Sequence, residues 1–399
     1  MSARAGSQER APERPGGAGD LRILAFCDYF GPGTGGGAER VAYEVYRRLA
    51  SQGAQVTVVT TSGGVEPWSG DISVVRVPTL DLSRVLKLQL SLTSGAISRA
   101  RSAARSRSPV VLHANSLEFQ TSLTAARLRR ETGIPLVLTA HLAGFDAMPE
   151  PWRLLGDLHQ RTIGRHLLRR ADRVIAVSDA VAVHLRSLDL PPERVRVVPN
   201  GVDHEVFAPA ARTWRDVRLL FVGRLVPNKG AEDAIRAFAG IRRERPSVRL
   251  TVVGDGPQRS ELEALTRRLG VWGSVRFAGF TPDVAPYLRD ADVLLRPTRT
   301  EGMPLSVLEA MACGVCVVAS DVPGNAGLIE DGRTGVLVPV GDRRALQAAI
   351  GRVADDGRER ERLAGAALEA SRSFSWDRCA AETLDVFLEA ARAAERTRS

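Results

Sequence analysis

The sequence predicts an α/β protein built from two Rossmann-like domains, each a parallel sheet wrapped by helices, with a cleft between them. Three observations carry the prediction. Short runs rich in β-branched residues alternate with longer stretches of helical periodicity, the pattern of fully buried parallel strands. The alternation halts in a loop rich in Pro and Ala and then restarts, giving two βαβ series. At 399 residues, with 44% hydrophobic and 25% charged side chains, the chain can give each series its own core.

In chain order, MSARAGSQERAPERPGGAGD comes first. It has no apolar stretch of a secretory signal, and its Gly, Ala, Pro and charge predict a disordered tail over 1–19. The first domain, 20–205, holds the strand runs LRILAFC (21–27), QVTVVT (55–60), VVLHA (110–114), LVLTA (136–140) and RVIAVS (173–178). After the first strand, AERVAYEVYRRLASQG (38–53) reads as a helix closed by Gly53. VRVVPNGVD (195–203) leads into the break at 204–216. The second domain, 206–374, holds LLFVG (219–223), RLTVVG (249–254), SVRFAG (274–279), DVLLRP (292–297) and VCVVAS (315–320). An amphipathic helix, SFSWDRCAAETLDVFLEAARAA (373–394), ends the chain.

Composition removes several function classes. Cys27, Cys313, Cys316 and Cys379 are too few and too scattered for a disulfide framework, which predicts a reducing compartment. No apolar run reaches the roughly 18 residues that span a bilayer. The expected location is cytoplasmic, free or peripheral on the membrane's cytoplasmic face. The net charge is +9, and of 55 cationic side chains only Lys87 and Lys229 are lysines. That balance suits phosphate-rich ligands or anionic lipid. Nucleic acid is not expected, because there is neither zinc-finger spacing nor interleaving of aromatic and basic residues.

In doubly wound sheets, ligands sit beyond the carboxyl ends of the strands, so the residues after each run carry the chemistry. The strongest constellation is RPTRTEGMPLSVLEAMACG (296–314). Pro304 suits the first position of a helix whose free amides would seat a diphosphate. Glu301 before that helix and Glu309 inside it would repel phosphate, but they suit hydroxyls of a sugar and a ribose. Two surface acids on a capped helix would read the same way. In LLFVGRLVPNKGAEDAIRAF (219–238), Arg224 and Lys229 at a strand end form an anion clamp, or else a solvated basic loop.

GPGTGGGAER (31–40) contains Gly31-x-Gly33-x-x-Gly36, formally a dinucleotide fingerprint. The acid that should end the second strand is missing, since that strand closes on Thr60-Thr61 and the next acid is Glu66. A glycine loop that lets backbone approach phosphate or sugar survives this test better than NAD binding does. In LTAHLAGFD (138–146), His141 follows a buried strand, as a donor to a sugar hydroxyl or as a structural histidine.

Asp290-Ala291-Asp292 imitates a metal-binding DxD, but it lies at the wrong end of its strand for the cleft, and no metal is expected there. Cys313-x-x-Cys316 lacks the second pair of a zinc site, and Cys316 sits in an apolar strand. Arg84, Lys87, Arg99, Arg101, Arg105 and Arg107 fall in an acid-free stretch between Leu82 and Leu117. Arg161, Arg165 and Arg169 recur at helical spacing. Both groups read as solvated helix faces or as contacts with anionic lipid.

Taken together, these motifs resemble glycosyltransferase family 4, retaining sugar transferases of the GT-B fold. The resemblance runs from about Leu21 to the last helix. It rests on Glu301 to Glu309 as E-x7-E, with VGRLVPNKG (222–230), VVGDGP (252–257), VIAVSDAV (174–181) and VVPNGVD (197–203) in family order. By matching position it implies that Arg224 and Lys229 hold the donor diphosphate and that Glu301 contacts the donor sugar. Glu309 would take the ribose hydroxyls. Amides of Gly302, Met303 and Leu305 would complete the phosphate cradle, Gly36 and Gly37 would approach from the first domain, and His141 would bond the sugar near its reacting carbon. The nucleobase would lie near Phe277–Phe280.

The implied reaction moves a sugar from a UDP- or GDP-sugar to an acceptor hydroxyl with α configuration. It needs no cofactor and no metal, the donor being a co-substrate. The acceptor stays open among lipid carriers, growing polysaccharides and small soluble alcohols. The resemblance also implies that residues 375–399 cross back onto the first domain. The chain departs from the family at Met303-Pro304, where Phe-Gly is frequent and a cradle amide is lost. It departs again at Gly327, where Glu is usual, and at Cys316, where Pro is frequent. Two other readings stay open at this level: a GT-B epimerase or hydrolase acting on nucleotide sugars, and a non-catalytic nucleotide-sugar-binding partner protein.

Overall fold

The computed structural model describes residues 18–31, 36–61, 72–77, 79–81, 91–93, 110–117, 120–142, 144, 150–211 and 216–398. The tail up to residue 17, Gly33 of the glycine loop and all six cations of the acid-free stretch lie outside the described residues.

The first half forms a seven-stranded parallel sheet in the order β3-β2-β1-β6-β7-β8-β9. Its strands are β1 (Arg22–Cys27), β2 (Gln55–Thr61), β3 (Ile72–Val77), β6 (Val110–Ala114), β7 (Leu136–Ala140), β8 (Arg173–Ala176) and β9 (Val195–Val197). Between β3 and β6, β4 (Thr79–Asp81) and β5 (Ser91–Thr93) pair antiparallel as a separate ribbon. The second half forms a six-stranded parallel sheet, β12-β11-β10-β13-β14-β15. These are β10 (Arg218–Val222), β11 (Arg249–Val253), β12 (Val275–Gly279), β13 (Val293–Arg296), β14 (Cys316–Ser320) and β15 (Val336–Val338). The sequence runs lacked β3 and β15. β3 is only half-buried and β15 has three residues, so neither shows the continuous apolar run of a central strand.

The helices of the first half are α1 (Gly37–Ser51), α2 (Gln120–Thr132), α3 (Trp152–His159), α4 (Arg165–Arg170) and α5 (Asp179–Ser187), with a wider π turn at Gln160–Gly164 between α3 and α4. Helix α1 buries Val41, Ala42, Val45, Tyr46 and Leu49, one stripe at i, i+1, i+4, i+5, i+8. The second half carries α6 (Ala231–Glu244), α7 (Arg259–Arg268), α8 (Ala285–Arg289), α9 (Leu305–Ala312), α10 (Pro323–Ala326), α11 (Arg343–Asp355) and α12 (Gly357–Ser371). Residues 18 and 19, read as the end of the tail, instead join a 3₁₀ turn, Ala18–Asp20, whose Ala18 is buried beside Leu21. A small apolar residue next to the first strand is drawn into the core.

The last helix, α13 (Trp376–Arg398), packs on α1 and on β6, β7 and β8 of the first sheet. The chain thus passes twice between the halves, and the passages touch. Val202 bridges Ser375, and His204 Nε2 lies 3.2 Å from the Phe374 carbonyl. Gly201 makes this crossing feasible, because a Cβ there would collide with the backbone of Ser375 and Trp376.

Candidate active site

Each sheet has a point where its strand order reverses, between β1 and β6 and between β10 and β13. Crevices form at such points beyond the strand ends. The loop after β1 leads into α1, while those after β10 and β13 carry Arg224, Lys229 and Glu301. The fold therefore gathers the predicted residues from both halves.

On the second half, Lys229 Nζ lies 2.8 Å from Glu301 Oε1, and Thr298 Oγ1 donates to the same oxygen at 3.2 Å. Arg296, the last residue of β13, also ion-pairs with Glu301 Oε1 and donates to the Val222 carbonyl at 2.6 Å. All three charged side chains are buried or nearly so. Burial alone would raise the Glu301 carboxyl, but the Arg296 and Lys229 charges outweigh it and hold it at about 2. Burial pushes the Lys229 ammonium below its usual range; Glu301 opposes the shift, and Arg296 and Arg224 add to it. Lys229, Arg296 and Glu301 carry more positive than negative charge in a desolvated place, with the exposed Arg224 at its edge, which suits a polyanion.

Glu309 is buried inside α9. Burial raises its carboxyl to about 7, against the charges of Arg40 and Arg296. Arg40 Nη1 of α1 pairs with Glu309 Oε1 at 2.9 Å, linking the two halves. Neither Glu301 nor Glu309 is a surface acid. Helix α9 begins at Leu305, and Pro304 is its N-cap with φ −74 and ψ 120, not its first helical residue. Pro304 keeps an extended backbone, with the strip before it tied to the first half, while its carbonyl accepts the first helical bond, from Val307 at 3.2 Å.

That strip is bonded across the cleft at three residues. Thr300 Oγ1 donates to the Gly144 carbonyl at 2.8 Å, Ser178 Oγ donates to the Gly302 carbonyl at 2.8 Å, and Asn200 Nδ2 donates to the Met303 carbonyl at 3.0 Å. Gly302 lies against His141, where any Cβ would collide with the His141 carbonyl. The Met303 side chain is buried, and its sulfur accepts from the Asn200 amide at 3.1 Å.

From the first half, Gly36 is the N-cap of α1 and Gly37 its first residue, with Gly37 facing the Leu305 side chain. Glu39 of the same turn accepts from the Gly36 amide at 2.8 Å and so holds the end of the glycine loop. Burial raises the Glu39 carboxyl, opposed by the Glu39 and Gly36 amides and by Arg224. His141 follows β7. Burial lowers its imidazole to about 4, against a hydrogen bond with the Asn115 backbone, so the ring is neutral at neutral pH. Its Nε2 is buried and has no hydrogen-bond partner among the described residues.

The fold brings together Gly36, Gly37, His141, Arg224, Lys229, Glu301, Gly302, Met303, Leu305 and Glu309. Sequence reasoning missed Arg296, Glu39, Arg40, Ser178 and Asn200. A signal existed for Arg296, a cation closing an otherwise apolar strand run, and for Glu39 and Arg40, a charged pair directly after the glycine loop. Asp290 and Asp292 are engaged elsewhere. Asp290 ion-pairs with the Arg218 side chain, and Asp292 Oδ2 accepts from the Arg218 amide at 2.9 Å, at the start of the strands. Cys313 and Cys316 are buried thiols outside any disulfide.

Comparison with known proteins agrees with this architecture. A family profile described as Glycosyltransferase Family 4 matches residues 35–206, and one described as Glycosyl transferases group 1 matches residues 216–356. The chain is 34% identical to the D-inositol 3-phosphate glycosyltransferase of Kribbella flavida, over 89% of this chain and 92% of the relative. It is 33% identical to the protein of the same name from a Nocardioides species, over 90% and 87%. Among solved structures, a sucrose-phosphate synthase from Thermosynechococcus elongatus superposes with a TM-score of 0.78 at 24% identity, covering 91% of this chain and 97% of that one. Anabaena HepE in complex with UDP and glucose superposes with a TM-score of 0.73 at 22% identity, covering 91% and 99%.

Proposed function

This chain belongs to glycosyltransferase family 4 and has the GT-B fold, and from that premise we propose that its cleft transfers a sugar from a nucleoside-diphosphate sugar to an acceptor hydroxyl with retention of α configuration. The observation that carries the proposal is the desolvated Lys229, Arg296 and Glu301 cluster, with the exposed Arg224 at its edge, facing His141 and the glycine turn. Arg224 and Lys229 hold the diphosphate and stabilise it as it leaves. Glu301 and the neutral His141 take sugar hydroxyls, and Glu309 takes ribose hydroxyls. Amides of Gly302, Met303 and Leu305 cradle the phosphates, and Gly36 and Gly37 close from the other side.

The bond between the sugar's anomeric carbon and the phosphate oxygen breaks, and one between that carbon and the acceptor oxygen forms on the same face. The acceptor's proton passes to the departing phosphate oxygen, so no protein nucleophile is required. The clamp's positive charge does the work a metal would do, and activity is expected to persist in a chelator. The donor is a UDP- or GDP-sugar. HepE's complex with UDP supports testing UDP first, and the relatives' names support D-inositol 3-phosphate as the first acceptor.

The test is nucleotide release from UDP- and GDP-sugars with and without that acceptor, together with the anomeric configuration of the product. Release that depends on acceptor and yields an α-glycoside supports the reading. Release without acceptor favours a nucleotide-sugar hydrolase instead. Inverted product overturns retention.

The expected site of action is cytoplasmic, with a peripheral contact to an anionic bilayer. Its support is α3, which exposes Leu154 (65%), Leu155 (50%) and Leu158 (57%) beside Arg153 and Arg161. No described helix is long and apolar enough to cross a membrane. Sedimentation with anionic but not neutral vesicles, lost in Leu154→Ser/Leu158→Ser, is the expected result.

A further inference from the structure

Resting on the donor reading above, we propose that Arg40 is a positioning residue of the donor site. From the first domain it holds the Glu309 carboxylate across the cleft and so sets how that carboxylate meets the ribose.

The geometry is specific. Arg40 lies one turn into α1, on the same turn that presents Gly36 and Gly37 to the cleft, so the glycine turn and the Arg40 guanidinium move together. Its Nη1 takes Glu309 Oε1 at 2.9 Å, which leaves Oε2 to accept from a hydroxyl. The guanidinium carbon also stands 5.5 Å from the ring centre of Phe207, in the passage between the two domains. Arg40 therefore touches the second domain and the linker while belonging to the first.

Glu309 needs such a partner. It is buried, and the charges that face it are Arg40 from α1 and Arg296 from β13. Arg296 is already committed to Glu301 and to the Val222 carbonyl. Among the described residues, the direct ion pair of Glu309 is the one with Arg40. A buried carboxyl without its counter-ion takes up a proton and becomes a weaker acceptor for hydroxyls. With Arg40 in place the Glu309 carboxyl stands at about 7; Arg40 is the larger of the two charges that oppose burial, so without it the carboxyl moves higher.

The experiment is calorimetric binding of the nucleoside diphosphate that the wild type prefers, UDP or GDP, and of its 2′,3′-dideoxy analogue, between pH 6 and 9. Both ligands titrate alike at their phosphates, so only the ribose differs. In Arg40→Met the ribonucleotide is expected to weaken about tenfold at pH 7, a 1.4 kcal/mol loss. The pH at which its binding falls off should move upward. The dideoxy analogue should bind as it does to wild type. Arg40→Lys should restore most of the loss, and in Glu309→Gln the Arg40→Met change should add nothing.

Equal weakening of both ligands would make Arg40 a simple domain fastener and overturn the proposal, as would no weakening of either. Wild type binding neither UDP nor GDP overturns the donor reading itself, a result separable from the other two. Melting temperatures of the variants show whether each is folded.

Discussion

Two buried polar clusters lie on opposite sides of the cleft and have opposite characters. In the first domain, Tyr46, His113 and Thr139 form a neutral chain. The Tyr46 hydroxyl is 2.6 Å from His113 Nδ1, and His113 Nε2 is 2.8 Å from Thr139 Oγ1. Burial, with the His141 charge adding to it, lowers the His113 imidazole to about 3, and its ring packs edge-on at 4.9 Å from Phe387 of α13. Both ring nitrogens are matched and nothing is left over. In the second domain, Lys229 and Arg296 flank a single Glu301. A closed neutral network rigidifies a core, whereas a buried surplus of charge is costly unless a ligand completes it. Depth does not separate the two clusters. The balance of charge does.

The comparison is broken most strongly at Glu301. Glu301→Ala is expected to lower sugar transfer about a thousandfold, the scale of losing a preorganised group at a reacting centre. Transfer near the wild-type rate would take Glu301 out of the site. Next comes Lys229→Ala, for which diphosphate affinity should fall about thirtyfold while Arg296 still neutralises Glu301. Isothermal titration with UDP or GDP measures it, and unchanged affinity would mean that the charge surplus is not a phosphate clamp.

His113→Phe is the converse. It removes the His113 partner of the Thr139 hydroxyl and of the Tyr46 hydroxyl, which keeps only the weak Cys27 thiol, so unfolding free energy should drop by about 2 kcal/mol. For the same variant, kcat/KM is expected to stay within about twofold. A large kinetic loss with intact stability would make this network part of the site.

A further effect is in acid, and it separates the clusters by pH. His113 has a folded pKa of about 3, below its ordinary value of 6.5, so the unfolded chain binds the proton first. Its contribution to stability is present above 6.5 and is lost as pH falls toward 3. Glu301 is lowered from 4.5 to about 2, so its contribution is present above 4.5 and lost between 4.5 and 2. Subtracting the denaturation curves of His113→Phe and Glu301→Gln from wild type, at a series of pH values, should give these two windows. A Glu301 difference that opens near pH 6.5 would contradict the assignment.

Much of this molecule was legible before any coordinates. The apolar runs located the central strands of both sheets because a strand covered on both faces must be continuously apolar. E-x7-E located the two carboxylates because residues before and within one short helix stay near each other whatever surrounds them. Local chemistry also separated Asp290 and Asp292 from the cleft, since strand direction alone puts them at the far end.

What the sequence could not carry were the relations between its halves. Nothing in GGAER says that Arg40 will meet a carboxylate 269 positions later, or that Asn200 and Ser178 will bond the strip that holds Met303 and Gly302. The same limit hid the true start of α9, because Pro304 fits a cap and a first turn equally well until the neighbouring domain ties down the strip before it. Periodicity and spacing are properties of one chain segment. Ion pairs across a cleft depend on how two domains are set against each other, and only the tertiary structure decides that.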